Sequence, residues 1–352
     1  MKLERRRVSV RTPRAQDARR SWPARDSLLL RLTDAAGHHG IGEASPLPGY
    51  SPDRLEDVEP ALAAVALADI EAALALPTRA ALSALASLLP AHLPSARMAL
   101  ETAALDLLGQ RQQLPAPALL GAAAGAQRPL AQLLGPASSP TLRPDAERAL
   151  QGGYTHFKLK LGAPAELERE LDGVQSLRER YGASIALRLD ANGALSASEI
   201  MQAWQRLSKL EIELFEEPGP VPGSLLGTLP LGLDESLQGL DEAAASALIG
   251  QRRARYVVLK PMALGGLAVC WCLAERALAL GAQPLLSHCF DGPFAWRATA
   301  ALALALPSGP AHGLAPHAGL AAWALRPLPV VHGALQLWPE PGLGAPAEPG
   351  FP

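Results

Sequence analysis

A chain of 352 residues is too long for one small core and allows either one large α/β barrel or two to three domains, and a hydrophobic fraction of 49% can fill such a core. The net charge of −2 offers no basic field, and aromatics at 4% leave few rings to stack on bases, so nucleic acid is excluded as a partner. Three cysteines without framework spacing, Cys270, Cys272 and Cys289, suit a reducing compartment. Cys270 and Cys272 lie in a helical pattern and are expected to be small core residues. The N-terminal MKLERRRVSVRT has no apolar leader region, and apolar runs elsewhere are broken by Pro, Gly or charge. No membrane partner is therefore expected, and the expected location is the cytoplasm.

In chain order, residues 1 to about 50 read as strands: RRVSVRT, SLLLRLTD, a turn at 35–40 with solvated His38 and His39, then GIGEASPLPG. A helix is expected from Ser51, where Ser51-Pro52-Asp53 resembles a cap, to about Leu76, with further helices at 78–89 and 95–112. From Gln127 short apolar strands alternate with helical segments: LAQLLG, HFKLKLG, SIALRLDANG, IELFEEP, LPLGLDES, RYVVLKP, QPLLSHC and AHGLA. The intervening helices are expected at 164–180, 196–209, 240–251, 265–280 and 293–306. Such repetition predicts a parallel sheet, and eight units in under 200 residues favour a closed barrel. An open doubly wound sheet is the alternative, but no G-x-G-x-x-G follows the first strand.

The polar residues at the strand ends carry the chemistry. Of 32 basic residues only five are lysine, Lys2, Lys158, Lys160, Lys209 and Lys260, and three of these sit at strand-like positions. Arginine keeps its proton in a protein, whereas lysine can be tuned to exchange one. Lys158 and Lys160 share one face of a strand, as do Arg188, Asp190 and Asn192 on the next. Glu216/Glu217, Asp234/Glu235 and Lys260 follow at the ends of successive strands. Three carboxylates from neighbouring strands repel unless a cation sits among them, and hard oxygen ligands without histidine or thiolate select Mg²⁺. Because side chains alternate, one member of each acidic pair can be a ligand and the other orients it. A single Asp would be read as a helix cap. A carboxylate substrate held between the lysines would have an amine on each side of its α-carbon, a site suited to α-proton abstraction and enediolate stabilisation.

K-x-K, D-x-N, E-E-P, D-E-S and K-P on successive strands resemble the enolase superfamily, in its muconate-lactonising-enzyme-like subgroup, over nearly the whole chain. The resemblance implies an α/β fold, a modified (β/α)₇β TIM-like barrel with an N-terminal α+β capping domain. Residues 1–112 would form the cap and connecting helix, 113–320 the barrel, and 321–352 a segment returning to the cap. It implies Asp190, Glu216 and Asp234 as ligands of Mg²⁺, with Mn²⁺ as a substitute, and Lys160 as base, Lys158 as its electrostatic neighbour and Lys260 as the lysine across the site. Arg188, Asn192 and Ser287 are the expected substrate contacts, and Glu217 and Glu235 the groups behind the ligands. GIGEASPLPGYSPDRLEDV, RLDANG, GLDESL and VLKP are similar to the o-succinylbenzoate synthases, dehydratases of menaquinone biosynthesis, in which a loop of the cap closes over a small carboxylate substrate. The segment LLSHCFDGPFAW departs from that pattern: His288, Cys289 and Phe290 replace small residues beside Ser287, and His288 is expected to be a packed loop residue. AHGLAPHAGL lacks the D-x-D of dipeptide epimerases. The rival expectations are an N-acylamino acid racemase of the same superfamily and, more distantly, a Schiff-base aldolase using Lys260.

Overall fold

The computed structural model describes residues 1–11, 22–163, 165–323 and 327–344. The end of the first expected strand at residue 12, residue 164 at the start of one expected helix and the far end of the 321–352 segment lie outside these. Strands β1 (Lys2–Arg11), β2 (Ala24–Thr33) and β3 (His39–Ala44) form an antiparallel sheet in the order β1-β2-β3. Leu28, Leu30 and Leu32 of β2 are buried among the apolar faces of α1 (Leu55–Ala64), α2 (Leu67–Leu74), α3 (Thr78–Ser87) and α4 (Pro94–Gln112). The single helix expected from Ser51 is two helices. Backbone at Val65 and Ala66 is extended, so Leu55, Val58 and Leu62 on one helix and Ile70, Ala73 and Leu74 on the next reach the same core. Asp53 does not cap α1; its Oδ2 accepts from the Ser95 amide at 2.9 Å and the Ser95 hydroxyl at 2.6 Å, in the first turn of α4.

After α5 (Ala116–Leu119) and β4 (Gln127–Pro129) comes the barrel: β5 (Ala131–Pro136), α6 (Leu142–Gln151), β6 (His156–Lys160), α7 (Leu167–Tyr181), β7 (Ala186–Asp190), α8 (Ala197–Leu207), β8 (Ile212–Glu216), β9 (Leu231–Leu233), α9 (Glu242–Arg252), β10 (Tyr256–Leu259), α10 (Pro261–Leu264), α11 (Leu267–Ala279), β11 (Gln283–Leu286) and α12 (Pro293–Ala305). Seven parallel strands run in the order β11-β10-β9-β8-β7-β6-β5, curling as a twisted parallel sheet does when helices cover its outer face. The eighth strand expected at AHGLA is present as two bridges, Leu130 with His312 and Ser287 with Gly313, which join the first strand to the last through one short segment. Finally β12 (Val330–Val331) pairs with β13 (Ala334–Gln336) and β13 with β4, and the tail returns to α4, where Asp106 accepts from the amide of Leu343 at 2.8 Å.

The cap is fastened to the barrel by buried carboxylates set on helix N-termini, where unpaired amides and the helix dipole favour negative charge. Glu43 of β3 accepts from the amides of Gly292, Phe294 and Ala295 at the start of α12, and Glu101 of α4 from those of Leu267 and Ala268 at the start of α11. Cys270 and Cys289 are buried, but Cys272 is not a core residue. Two positions along the helix turns it to the surface side of α11, where its Sγ donates to Glu242 at 3.0 Å.

Candidate active site

On β6, Phe157 and Leu159 point out to the helices and Lys158 and Lys160 into the barrel, the alternation a strand requires. The parallel register sets Lys160 beside Asp190, and Asp190 beside Glu216. Asp234 follows β9 and Lys260 follows β10, so the sheet order makes a row of three carboxylates with amines at both ends. All three carboxylates and Lys260 are buried.

Lys158 Nζ lies 2.8 and 2.7 Å from the two Glu216 oxygens and 2.7 Å from Asp190 Oδ2. Lys160 Nζ donates to the same Asp190 oxygen at 2.7 Å and to Asn192 Oδ1 at 2.9 Å. At the other end Lys260 donates to Asp234 Oδ2 and, at 2.8 Å, to the Tyr50 hydroxyl. Burial works against charge on Lys158 and Lys260, but Asp190 and Glu216 for the first, and Asp234 for the second, outweigh it and raise both pKa values. Burial likewise opposes charge on Asp190, yet Lys158 and Lys160 hold it below the ordinary carboxylate range. Glu216 goes the other way: burial, then the negative charge of Asp190, pushes it up to about 8.

Among the described residues no three His, Cys, Asp or Glu side chains are already drawn together as a metal cage; the carboxylates are turned onto the lysines. The donor set nevertheless fits a hard divalent ion. Burial raises both Glu216 and Asp234, and a negative neighbour raises each further, Asp190 for the first and Glu235 for the second, so acidic groups crowd together in a place that calls for a cation. Oxygen-only ligands from three adjoining strands are what Mg²⁺ takes.

The groups behind the row are also placed. Glu217, with φ 39°, turns its carboxylate away from the cavity to accept from the amides of Asp234 at 2.8 Å and Ser236 at 3.3 Å and from the Ser236 hydroxyl, which fixes the turn that presents Asp234. That left-handed backbone is costly for a residue with a side chain, and these bonds hold it. Glu235 accepts from Asn192 Nδ2 at 2.8 Å, so both ends of the Asn192 amide are engaged, one on Glu235 and one on Lys160. Asn192 borders the cavity as a holder of Lys160.

Arg188 departs from the expectation of a substrate contact. It shares the face of Asp190 but lies one inward layer deeper, only 2% exposed. There it makes a paired ion contact with Glu213 at 2.7 and 3.0 Å and donates to the Ala311 carbonyl. It fills the barrel below the site and does not border the cavity. Ser287 does border it, with its hydroxyl directed to the Gly313 carbonyl at 3.3 Å.

The cavity, of about 280 Å³, has a second wall that sequence reasoning missed: Trp22 and Tyr50 from the cap, and Phe290 and His317 from loops beyond the strands. His288 is buried as expected, its Nδ1 accepting from the Phe290 amide at 3.0 Å, yet it also borders this wall. Its ring centroid lies 4.8 Å from that of His317, and Phe290 is 6.1 Å from Trp22. Burial keeps both histidines neutral, His288 well below its ordinary value and His317 at about 4. Arg25 builds the junction, donating to the carbonyls of Ser45 and Pro46 in the cap and of Cys289 and Phe290 in the barrel. Tyr50 was within reach of the sequence, since it stands in the PLPGYS loop; Trp22 and His317 carry no local signal.

The family profile described as enolase C-terminal domain-like matches residues 141–349, and that of the mandelate racemase / muconate lactonizing enzyme N-terminal domain matches residues 2–121. Among curated relatives, an o-succinylbenzoate synthase of Desulfotalea psychrophila is 32% identical over 269 residues, 68% of this chain and 72% of the relative. An N-succinyl-L-Arg/Lys racemase of Bacillus cereus is 27% identical over 198 residues, 54% of this chain and 53% of the relative. Among solved structures, a dipeptide epimerase from Methylococcus capsulatus complexed with Mg and L-Arg-D-Lys superposes with a TM-score of 0.83 at 26% identity, covering 98% of both chains. The muconate lactonizing enzyme of Pseudomonas fluorescens, complexed with muconolactone, gives 0.82 at 24%, covering 99% of this chain and 96% of that one, a likeness of fold alone.

Proposed function

The chain belongs to the enolase superfamily, in the family of mandelate racemase and muconate lactonizing enzyme, and from that premise we propose that it is an o-succinylbenzoate synthase. The reaction would be the dehydration of 2-succinyl-6-hydroxy-2,4-cyclohexadiene-1-carboxylate. The observation that carries the reading is the row of Asp190, Glu216 and Asp234 between Lys160 on one flank and Lys260 on the other, with both amines lining one cavity. What favours the dehydratase over a dipeptide epimerase is the absence of any acidic residue at 311–320, where an α-ammonium would need a partner.

Asp190, Glu216 and Asp234 would hold Mg²⁺, which supplies positive charge to the substrate carboxylate as it becomes an enediolate. Lys160 takes the α-proton: the C–H bond breaks, the proton goes to its amine and the electron pair passes to the carboxylate. Lys260 faces the opposite side of the ring and offsets the developing charge, in part over the ring face. When the electron pair returns, the C–O bond breaks and the hydroxyl departs as water with the proton carried by Lys160. The ring becomes aromatic in the same step. Asn192 and Asp190 keep Lys160 in place, Lys158 on the same Asp190 oxygen is its electrostatic neighbour, and the neutral wall of Trp22, Phe290 and His317 excludes water from the reacting face.

A racemase of N-succinylamino acids uses the same pair of amines as two bases, and the Bacillus cereus relative favours it as the second reading. The aldolase reading needs an amine that sheds its proton, and Lys260 is held the other way by Asp234. The deciding experiment measures dehydration of the cyclohexadiene and α-hydrogen exchange of N-succinylamino acids in D₂O, each with and without Mg²⁺. Dehydration that stops on chelation, with Lys160→Ala about 10²–10⁴-fold slower, is expected. Exchange of both enantiomers without dehydration would overturn the dehydratase in favour of the racemase.

A further inference from the structure

Lys260 has a partner from outside the barrel. Tyr50 comes from the cap, in a tight turn closed by Tyr50 N to the Leu47 carbonyl at 3.0 Å, Ser51 N to the same carbonyl at 2.8 Å and Leu47 N to Ser51 Oγ at 2.9 Å. Its hydroxyl accepts from Lys260 Nζ at 2.8 Å and donates to Asp234 Oδ1 at 2.9 Å, and the Lys260 ammonium lies 4.6 Å from the ring centroid. One phenol therefore touches both a carboxylate of the row and the amine beyond it. Lysine hangs on a flexible four-carbon stem, and its place must be set by what binds its nitrogen. Asp234 is a poor permanent anchor, because the same carboxylate is wanted by a cation in the row. The Tyr50 oxygen has no such second demand.

We propose that Tyr50 is a positioning residue that holds Lys260 over the cavity, so that the reach of this amine depends on the cap loop 46–51 being seated on the barrel. The inference deepens the reading of Lys260 as the group across the site and rests on it for the kinetic readout only. Removing the hydroxyl frees the stem while leaving the ring in place, so Tyr50→Phe is the matching variant. Ser51→Ala loosens the turn without touching Lys260 or the carboxylates.

The chain has only five lysines, so selective ¹⁵Nζ-lysine NMR of the full-length protein can follow each amine. Sheltered, hydrogen-bonded ammonium groups exchange their protons slowly enough to be seen, and buried Lys260 and part-buried Lys158 and Lys160 are the three so placed. The expected result is that Tyr50→Phe broadens or removes the Lys260 signal and leaves those of Lys158 and Lys160 unchanged, with Ser51→Ala weakening the same signal. In the dehydration assay Tyr50→Phe is expected to lower kcat about tenfold or more at nearly constant KM, the cost of one hydrogen bond to a charged group. An unaltered Lys260 signal in Tyr50→Phe overturns the proposal, whatever the substrate. So does a lost signal with unchanged kcat. If the wild-type protein turns over neither the cyclohexadiene nor the N-succinylamino acids, the functional reading fails while the NMR comparison still decides whether Tyr50 holds Lys260.

Discussion

The Glu101 carboxylate is fully buried between α4 and the start of α11, and burial pushes it up to about 8 against the pull of the Leu267 and Ala268 amides. Its folded value stands above the unfolded one, near 4.5, so its contribution to stability is complete below about pH 4.5 and is lost as pH rises through 8. The wild-type protein is expected to lose stability over that window relative to Glu101→Gln, with a slope of at most about 1.4 kcal/mol per pH unit. Denaturant melts at pH 5, 7 and 9 check this; parallel curves for the two proteins would refute it. Arg188 invites a different test. Its charged partner among the described residues is Glu213, a part-buried carboxylate, so Arg188→Ala leaves that carboxylate without its paired contact and is expected to cost about 1–3 kcal/mol by urea unfolding. The folded fraction should retain the wild-type KM. A raised KM at unchanged stability would return Arg188 to the substrate.

At the scale of elements, the contact between β3 and α4 is set by glycines. A Cβ on Gly42 would meet the Ala99 carbonyl oxygen at 1.9 Å, and one on Gly40 the Leu107 amide nitrogen at 2.2 Å. Strand and helix backbones touch here, which places the Glu43 carboxylate on the first turn of α12 and carries the 46–51 loop to the mouth of the barrel. Gly42→Ala forces the helix away and is expected to lower stability by roughly 1–3 kcal/mol. Gly223→Ala, where an added Cβ meets nothing within 4 Å, serves as the neutral control. Equal melting temperatures for the two variants would contradict this account of the interface.

For the whole molecule, burial of Glu216 and Asp234 opposes their charge, a cost that a divalent ion held by the proposed ligands would relieve. Binding to the folded chain alone stabilises it by mass action, about 2.7 kcal/mol at a hundred times the dissociation constant. Mg²⁺ is expected to raise the melting temperature of EDTA-treated protein, and Asp234→Asn to abolish most of that rise. A melting temperature indifferent to both EDTA and Mg²⁺ would remove the ion from the account. Among the described residues no helix is long and apolar enough to cross a membrane.

What the sequence determined by itself was periodic and local. Alternation put Lys158 and Lys160 on one face, and strand-helix spacing gave the barrel and the order in which the acidic and basic strand ends follow one another. The side on which each member of Glu216/Glu217 and Asp234/Glu235 falls was open, because the strands end there and backbone such as φ 39° at Glu217 obeys no period. Depth within the barrel was equally hidden: Arg188 and Asp190 look alike along the strand, and only closure of the sheet separates floor from mouth. The tertiary structure alone brought Tyr50 onto Lys260, 210 residues apart, and set Trp22 beside Phe290. Such contacts arise from packing two domains against each other, and the positions of one surface leave no mark in the local pattern of the other.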